Sequence, residues 1–293
     1  MSTQVTTAFV QQYSANVQML AQQKGSKLKQ FVRVETITGK QAFFDQIGAT
    51  AARRRTSRHS DTPRMDTPHG RRRCALEDFD WADLIDNEDK VRTLIDPTSS
   101  YAMAAAMAMG RAMDEVIVDA MRGTAFSGET GSTSVVLPAG SKVAVAATGL
   151  TLAKLLSAKA IMDGADIDNE GRFIAVTNKQ LQDLLNVTEV KSADFNSVKA
   201  LVNGDLNTYL GFNFIRVDGL RIDGTKILPF VTGSDRAVMA WQKDNVIMGV
   251  AAEPSAKITE RADKNYSTQV FYSMSIGAVR MQETAVIEVS ALE

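Results

Sequence analysis

The sequence is poor in the residues that do chemistry. It contains one cysteine, Cys74, and two histidines, His59 and His69, in 293 residues. A lone cysteine makes no intrachain disulfide and no cysteine-based zinc site, so no oxidising compartment is required. Neither a G-x-x-x-x-G-K-S/T loop nor a G-x-G-x-x-G turn is present, which leaves a nucleotide site without support. The G-x-S-x-G elbow of serine hydrolases is absent too. His59-Ser60-Asp61 has the residue types of a catalytic triad, but triad members meet through the fold, and adjacent residues point apart. Asp166 to Gly171 resembles the start of a calcium loop. Its twelfth position is Thr177, where a bidentate Glu is wanted, and a strand is expected where a helix should follow. A polar turn is the reading there. No catalytic residue, metal or cofactor is expected. The longest apolar-looking run, Tyr101 to Met109, is too short to span a bilayer. Met1 to Val10 lacks the basic start and apolar block of a signal peptide. The chain is therefore expected to be made and used in a cytoplasm, away from membranes.

What is present is ordinary material for a folded core, unevenly charged. Hydrophobic residues make up 44% and charged residues 23%, which predicts one large or two modest domains rather than global disorder. The net charge is -1. Yet residues 1–74 carry thirteen Lys and Arg against four acids. The contrast is sharpest between neighbours: residues 51–73 hold eight Arg and two Asp, whereas residues 77–96 hold eight acids and two bases. A basic block of this kind suits nucleic acid, a solvated loop, or contact with acidic groups on other copies of the chain. Residues 51–73 have no Tyr or Trp, hence no stacking platform for single strands. Arginine also outperforms lysine in fixed, bidentate carboxylate pairing. Contact between subunits is the favoured reading, with Arg53, Arg54, Arg55, Arg58, Arg71, Arg72 and Arg73 facing Glu77, Asp78, Asp80, Asp83 and Asp86 of a neighbour.

The chain divides into recognisable stretches. Phe9, Val10, Tyr13, Val17 and Leu20 follow helical spacing in a lightly built N-terminal arm. Phe31 to Thr36 starts a β-rich segment, and Thr38-Gly39-Lys40 looks like a turn. Residues 46–76 hold few large apolar side chains and are too long for an ordinary loop, so they read as a protruding, partly β-hairpin extension held by neighbours. Asp96-Pro97-Thr98-Ser99-Ser100 carries N-cap chemistry. Met103, Met107, Gly110, Met113, Ile117 and Met121 then recur every three or four residues, with Ala filling many gaps, which predicts a helix over 97–123 about 35 Å long. Gly123 is expected to end it in the left-handed conformation. Helices are predicted over 151–163, 178–186 and 194–209, with strands at 173–176 and 211–217. Strands dominate from Ala237 onward, at 238–241, 256–261, 269–281 and 285–289.

The order of parts, and several stretches within it, resemble the tailed-phage major capsid proteins of the Hong Kong 97-type fold. The stretches are Arg58-His59-Ser60-Asp61-Thr62-Pro63, His69-Gly70-Arg71-Arg72-Arg73, Asp83-Leu84-Ile85-Asp86, Ile95 to Tyr101, and Gly110-Arg111-Ala112-Met113-Asp114. The resemblance implies an α+β fold with an N-terminal arm at 1–30 and an extended loop at 31–80 lying over a neighbour. A peripheral domain would follow at 81–150, with a spine helix at 97–123. An axial domain would span 151–255, and the chain would return to the peripheral domain at 256–293. It further implies a major capsid protein that self-assembles, as hexamers and pentamers, into an icosahedral shell around double-stranded DNA read without sequence specificity. A separate scaffolding protein, a portal and decoration proteins would be its other partners. The place of action would be the virion capsid, assembled in the host cytoplasm. Some relatives weld subunits through a Lys-to-Asn isopeptide bond. Here Lys40 is the only Lys between residues 31 and 89, so a non-covalent shell is expected. The second reading is the shell of a cellular nanocompartment, which shares the fold and encloses protein cargo. An enzyme of unknown α/β type is a distant third.

Overall fold

The computed structural model describes residues 23–59, 61, 62, 64–86, 98–186 and 208–293. The expected N-terminal helical stripe, the first N-cap residues Asp96 and Pro97, and nearly all of the helix expected over 194–209 lie outside these residues. The described chain runs β1 Arg33–Thr36, β2 Gln41–Ile47, β3 His69–Ala75, β4 Glu77–Ile85, α1 Thr98–Arg122, β5 Ala125–Ser127, β6 Thr133–Val135 and β7 Lys142–Val143. It continues α2 Leu152–Gly164, β8 Arg172–Val176, α3 Asn178–Asn186, β9 Thr208–Tyr209, β10 Phe212–Arg216 and β11 Phe230–Thr232. It ends β12 Asp235–Gln242, β13 Val246–Arg261, β14 Ser267–Arg280 and β15 Val286–Leu292. Thr208 and Tyr209 form a short strand against β10, so the expected helix does not reach its C-terminal limit.

A seven-stranded mixed sheet, ordered β7-β15-β12-β8-β10-β9 with β11 beside β12, forms the middle layer. Its central strand β12 reads Ala237-Val238-Met239-Ala240-Trp241, apolar on every residue, because both faces are covered. On one face, Val238, Ala240, Ile287 and Val289 pack with Leu155, Ala158 and Met162 of α2 and Leu184 of α3. On the other, Met239, Trp241 and Val286 pack with Met113, Ile117 and Met121 of α1 and with Leu28 and Val32. A four-stranded sheet, β1-β13-β14-β4, lies on the far side of α1, with Met274 and Ile276 of β14 in the same core. The long helix is thus buried between two sheets, which is what its Met-rich stripe serves. Met103 departs from that expectation: it is exposed, and the buried residue of that part of the helix is Ala105. Twenty-five residues at 1.5 Å each give a rod of about 37 Å.

The two ends of the packed part of α1 are fixed by buried charges. Asp114 is fully buried and accepts from Ser26 Oγ (2.5 Å), Lys27 N (3.0 Å), Leu28 N (3.0 Å) and Gln23 Nε2 (2.5 Å). Burial pushes its pKa above the ordinary carboxylate value, while the bonds from Ser26, Lys27, Leu28 and Gln23 pull it back. One turn earlier, Gly110 lets this strap lie directly on the helix: a Cβ there would fall 2.3 Å from the carbonyl carbon of Gly25. At the other end, the buried Arg280 donates through Nη1 to the carbonyls of Met121 (2.6 Å) and Gly123 (3.0 Å), and through Nη2 to Val135 O (3.1 Å). A guanidinium at a helix C-terminus satisfies free carbonyls and complements the dipole together. This corrects the expected left-handed cap, for Gly123 is not among the residues with positive φ. Its small size matters instead, since a Cβ would come within 2.7 Å of Asp119 O.

Candidate assembly surface

The extension predicted over 46–76 is a β-hairpin in which β2 and β3 pair antiparallel from Gln41↔Ala75 to Ile47↔His69. Strand periodicity sorts its arginines. Arg72 and Cys74 point into the body of the chain, and Arg71 and Arg73 point the other way. Arg72 is only 6% exposed. It donates through Nε to Met281 O (3.1 Å) and through Nη2 to Glu283 (2.5 Å). Cys74 sits over two glycines that pair across the four-stranded sheet, Gly249 and Gly277. A Cβ on Gly277 would fall 2.0 Å from Ala75 O, so the base of the hairpin seats only on bare backbone. Burial pushes the Cys74 thiol up to about 11. Ile37, Ile247 and Val279 close this small core, with Phe44 packed against it. Gln46 Nε2 adds a bond to Met281 O. The base is therefore rigidly held by its own chain.

Beyond the base the support ends. Gly48 N still donates to Pro68 O, and every described residue from Gly48 to Pro68 is exposed. Arg53, Arg54, Arg55 and Arg58 lie in this exposed loop, where Arg55 turns back onto the carbonyl oxygens of Ser57 and Arg58. Arg71 pairs with Asp45 across the hairpin at 2.7 Å, which raises its pKa further. Arg73 stacks over Phe126, 4.6 Å from the ring centre.

Within the acidic block, Glu77–Ile85 form strand β4, paired antiparallel with β14 from Thr268↔Ile85 to Ile276↔Glu77. Phe79, Trp81 and Ile85 turn inward, while Glu77, Asp78 and Asp80 are exposed. Asp83 is half-buried, and Asp86 accepts from Ser267 Oγ. Within one chain the blocks do not meet: among the described residues no ion pair joins the seven arginines to Glu77, Asp78, Asp80, Asp83 or Asp86. The carboxylates that do bind Arg71 and Arg72 are Asp45 and Glu283. Arg72 is consequently committed inside its own subunit, where it was expected to face the acids of a neighbour. Sequence reading missed Glu283, Asp114 and Arg280.

The polar turn expected at Asp166 to Gly171 is held by a cation from the chain itself. The buried Arg172 reaches Asp163 (2.6 Å) and the carbonyls of Ile167 (2.5 Å) and Asp168 (2.9 Å).

The sequence matches the family described as phage capsid protein over residues 5–293. The chain belongs to that family. No curated protein sequence matches it. Similar solved structures include several phage capsids. The capsid of cyanophage P-SCSP1u is 18% identical, with a TM-score of 0.73, covering 100% of this chain and 96% of its own. The capsid of Helicobacter pylori bacteriophage KHP30 is 10% identical, with a TM-score of 0.71, covering 100% and 98%. Mycobacterium phage Che8 is 14% identical, with a TM-score of 0.67, covering 96% and 97%. The α+β architecture is that of the Hong Kong 97-type capsid fold, and the phage capsid protein is a shell-forming structural protein. The nanocompartment reading is not favoured by these likenesses.

Proposed function

We propose that this subunit tiles a closed icosahedral shell of hexamers and pentamers around double-stranded DNA and catalyses no reaction. The hairpin carries this reading: its base is locked to its own chain by Arg72, Cys74 and Gln46, and its basic outer loop is exposed at every described residue. A loop of this length, poor in apolar residues, cannot dock by hydrophobic burial alone, so charge contacts with acids of neighbouring subunits set its register. Arg53, Arg54, Arg55, Arg58 and Arg71 supply the positive side, and Glu77, Asp78, Asp80, Asp83 and Asp86 the negative side. One exposed pair contributes about 0–1 kcal/mol, yet several pairs repeated over a closed shell decide whether it forms.

In this reading residues 48–68 are the free-standing part of the extended loop, since β2 and β3 on either side belong to a sheet with β5 and β6. Helix α1 is the spine of the peripheral domain, together with the four-stranded sheet. Residues from about 151, with α2, α3 and the seven-stranded sheet, form the axial domain that meets at the hexamer and pentamer axes. Scaffolding, portal and decoration proteins are the expected further partners, and assembly takes place in the host cytoplasm. DNA is enclosed without being read, because no base-reading motif is present. Sedimentation of the purified full-length chain, with negative-stain microscopy of the fast fraction, tests the reading. Closed isometric particles support it, and a chain that remains a monomer or small oligomer under assembly conditions contradicts it.

A further inference from the structure

Strand β4 is the last strand of its sheet, and among the described residues nothing pairs with its outer edge. An open edge presents a row of free backbone donors and acceptors, and charges on it normally discourage pairing with a like strand. Here the charges are of one sign. Asp78 and Asp80 stand on the exposed face and Asp83 on the opposite face, as strand periodicity requires.

The exposed loop of the hairpin carries the matching pattern. Arg53 and Arg55 are two apart, and Arg58 follows three later. Asp78 and Asp80 are two apart, and Asp83 follows three later. Laid alongside in the same direction, with Arg53 opposite Asp78, the two segments bring Arg55 opposite Asp80 and Arg58 opposite Asp83. All three arginines then lie on the same face as their acids. The same register puts Arg54 beside Phe79 and Ala52 beside Glu77, so no like charges oppose. The reversed direction matches only two pairs, and it places Arg58 opposite Ala75, outside β4.

We propose that residues 52–58 of one copy add as a parallel fifth strand to the outer edge of β4 on the next copy. This rests on the shell reading and specifies its contact. The donor loop is exposed and carries no strand of its own. It reaches a neighbour more readily than its own β4, because β3 separates the loop from the start of β4 by about 20 Å. Docking replaces the local bonds of Arg55 to the carbonyls of Ser57 and Arg58. It also explains why the basic block is arginine and why the acids sit on an edge rather than mid-sheet. The contact is head-to-tail: each copy gives a loop and receives one, so it propagates around a ring.

The test uses the full-length chain assembled into particles. Ser57→Cys with Ala82→Cys places two thiols opposite each other in the proposed register, and the buried Cys74 stays out of reach. Mild oxidation should give a ladder of covalent oligomers on a non-reducing gel. Ser57→Cys with Leu84→Cys, two residues out of register on the same face, should give little. Wild-type particles together with double-cysteine particles that stay uncross-linked overturn the strand pairing and leave the shell reading intact. Equal cross-linking of both pairs overturns it as well. Wild-type chain that forms no particles instead fails the shell reading. Independently of thiols, Arg53→Asp with Arg55→Asp should abolish particles, and adding Asp78→Arg with Asp80→Arg should restore them. Failure of that rescue overturns the proposal. So do normal shells from the Arg53→Asp, Arg55→Asp chain that merely retain less DNA, which would assign the loop to nucleic acid.

Discussion

Replacing Gly110 with alanine sets two effects of opposite sign against each other. In an ordinary helix interior, Gly→Ala stabilises by roughly 1 kcal/mol, because glycine loses the most backbone freedom on folding. Here the new Cβ would sit 2.3 Å from Gly25 C, 2.5 Å from Gly25 Cα and 2.6 Å from Ser26 N. These are backbone atoms, so no side chain can turn aside. The strap must lift, and lifting draws Ser26, Lys27 and Leu28 away from Asp114, which accepts from all three. Each hydrogen bond to a buried carboxylate contributes about 1.5–3 kcal/mol, and Leu28 is fully buried as well. Partial loss of two such bonds outweighs the propensity gain, giving a net destabilisation of about 2–4 kcal/mol. Urea unfolding of the unassembled subunit reads the stability, and limited trypsin digestion at Lys24, Lys27 and Lys29 reads strap release. A Gly110→Ala chain that is more stable than wild type, with unchanged trypsin resistance, would show that the strap does not depend on this approach. Combining Gly110→Ala with Asp114→Ala should cost little more than the worse single change, because both release the same segment.

Arg280→Met should destabilise the subunit by about 3–5 kcal/mol, since it strands the helix-end carbonyls of Met121 and Gly123 that the guanidinium caps; urea midpoints check it. Arg72→Glu should likewise impair folding by placing a buried negative charge beside Glu283, whereas Arg71→Glu, at an exposed pair, should leave the urea midpoint nearly unchanged and act only on particle yield. Cys74 should resist thiol reagents at pH 8 until the chain unfolds. Because its folded pKa is raised to about 11, its contribution to stability should persist below the unfolded value of about 9 and fall away as pH rises towards 11, an effect absent from Cys74→Ala.

The sequence was most legible where one physical signal acted alone. Helix α1 was visible because Met113, Ile117 and Met121 keep one face, and β12 because an unbroken apolar run has no other place than a sheet covered on both sides. The hairpin was visible as a long stretch without a core. Where two signals overlapped, the stronger one hid the weaker. The acids of β4 announced a charge block and masked the alternation of Phe79, Trp81 and Ile85 that makes it a strand. Three consecutive arginines read as one basic cluster, although strand geometry sends Arg72 inward and its neighbours outward. The pairing of Gly249 with Gly277 beneath Cys74 and the capture of the strap by Asp114 join residues far apart in the chain, and nothing local announces such contacts.

Cryo-electron microscopy of shells assembled from the full-length chain follows the hairpin Gln41–Ala75 from its base to its tip. The proposed loop contact predicts that the base stays against Met281 and Glu283 of its own subunit, with residues 52–58 lying on an adjacent subunit against Asp78, Asp80 and Asp83. A shell in which the tip folds back on its own subunit, or hangs in solvent clear of every neighbour, would contradict it.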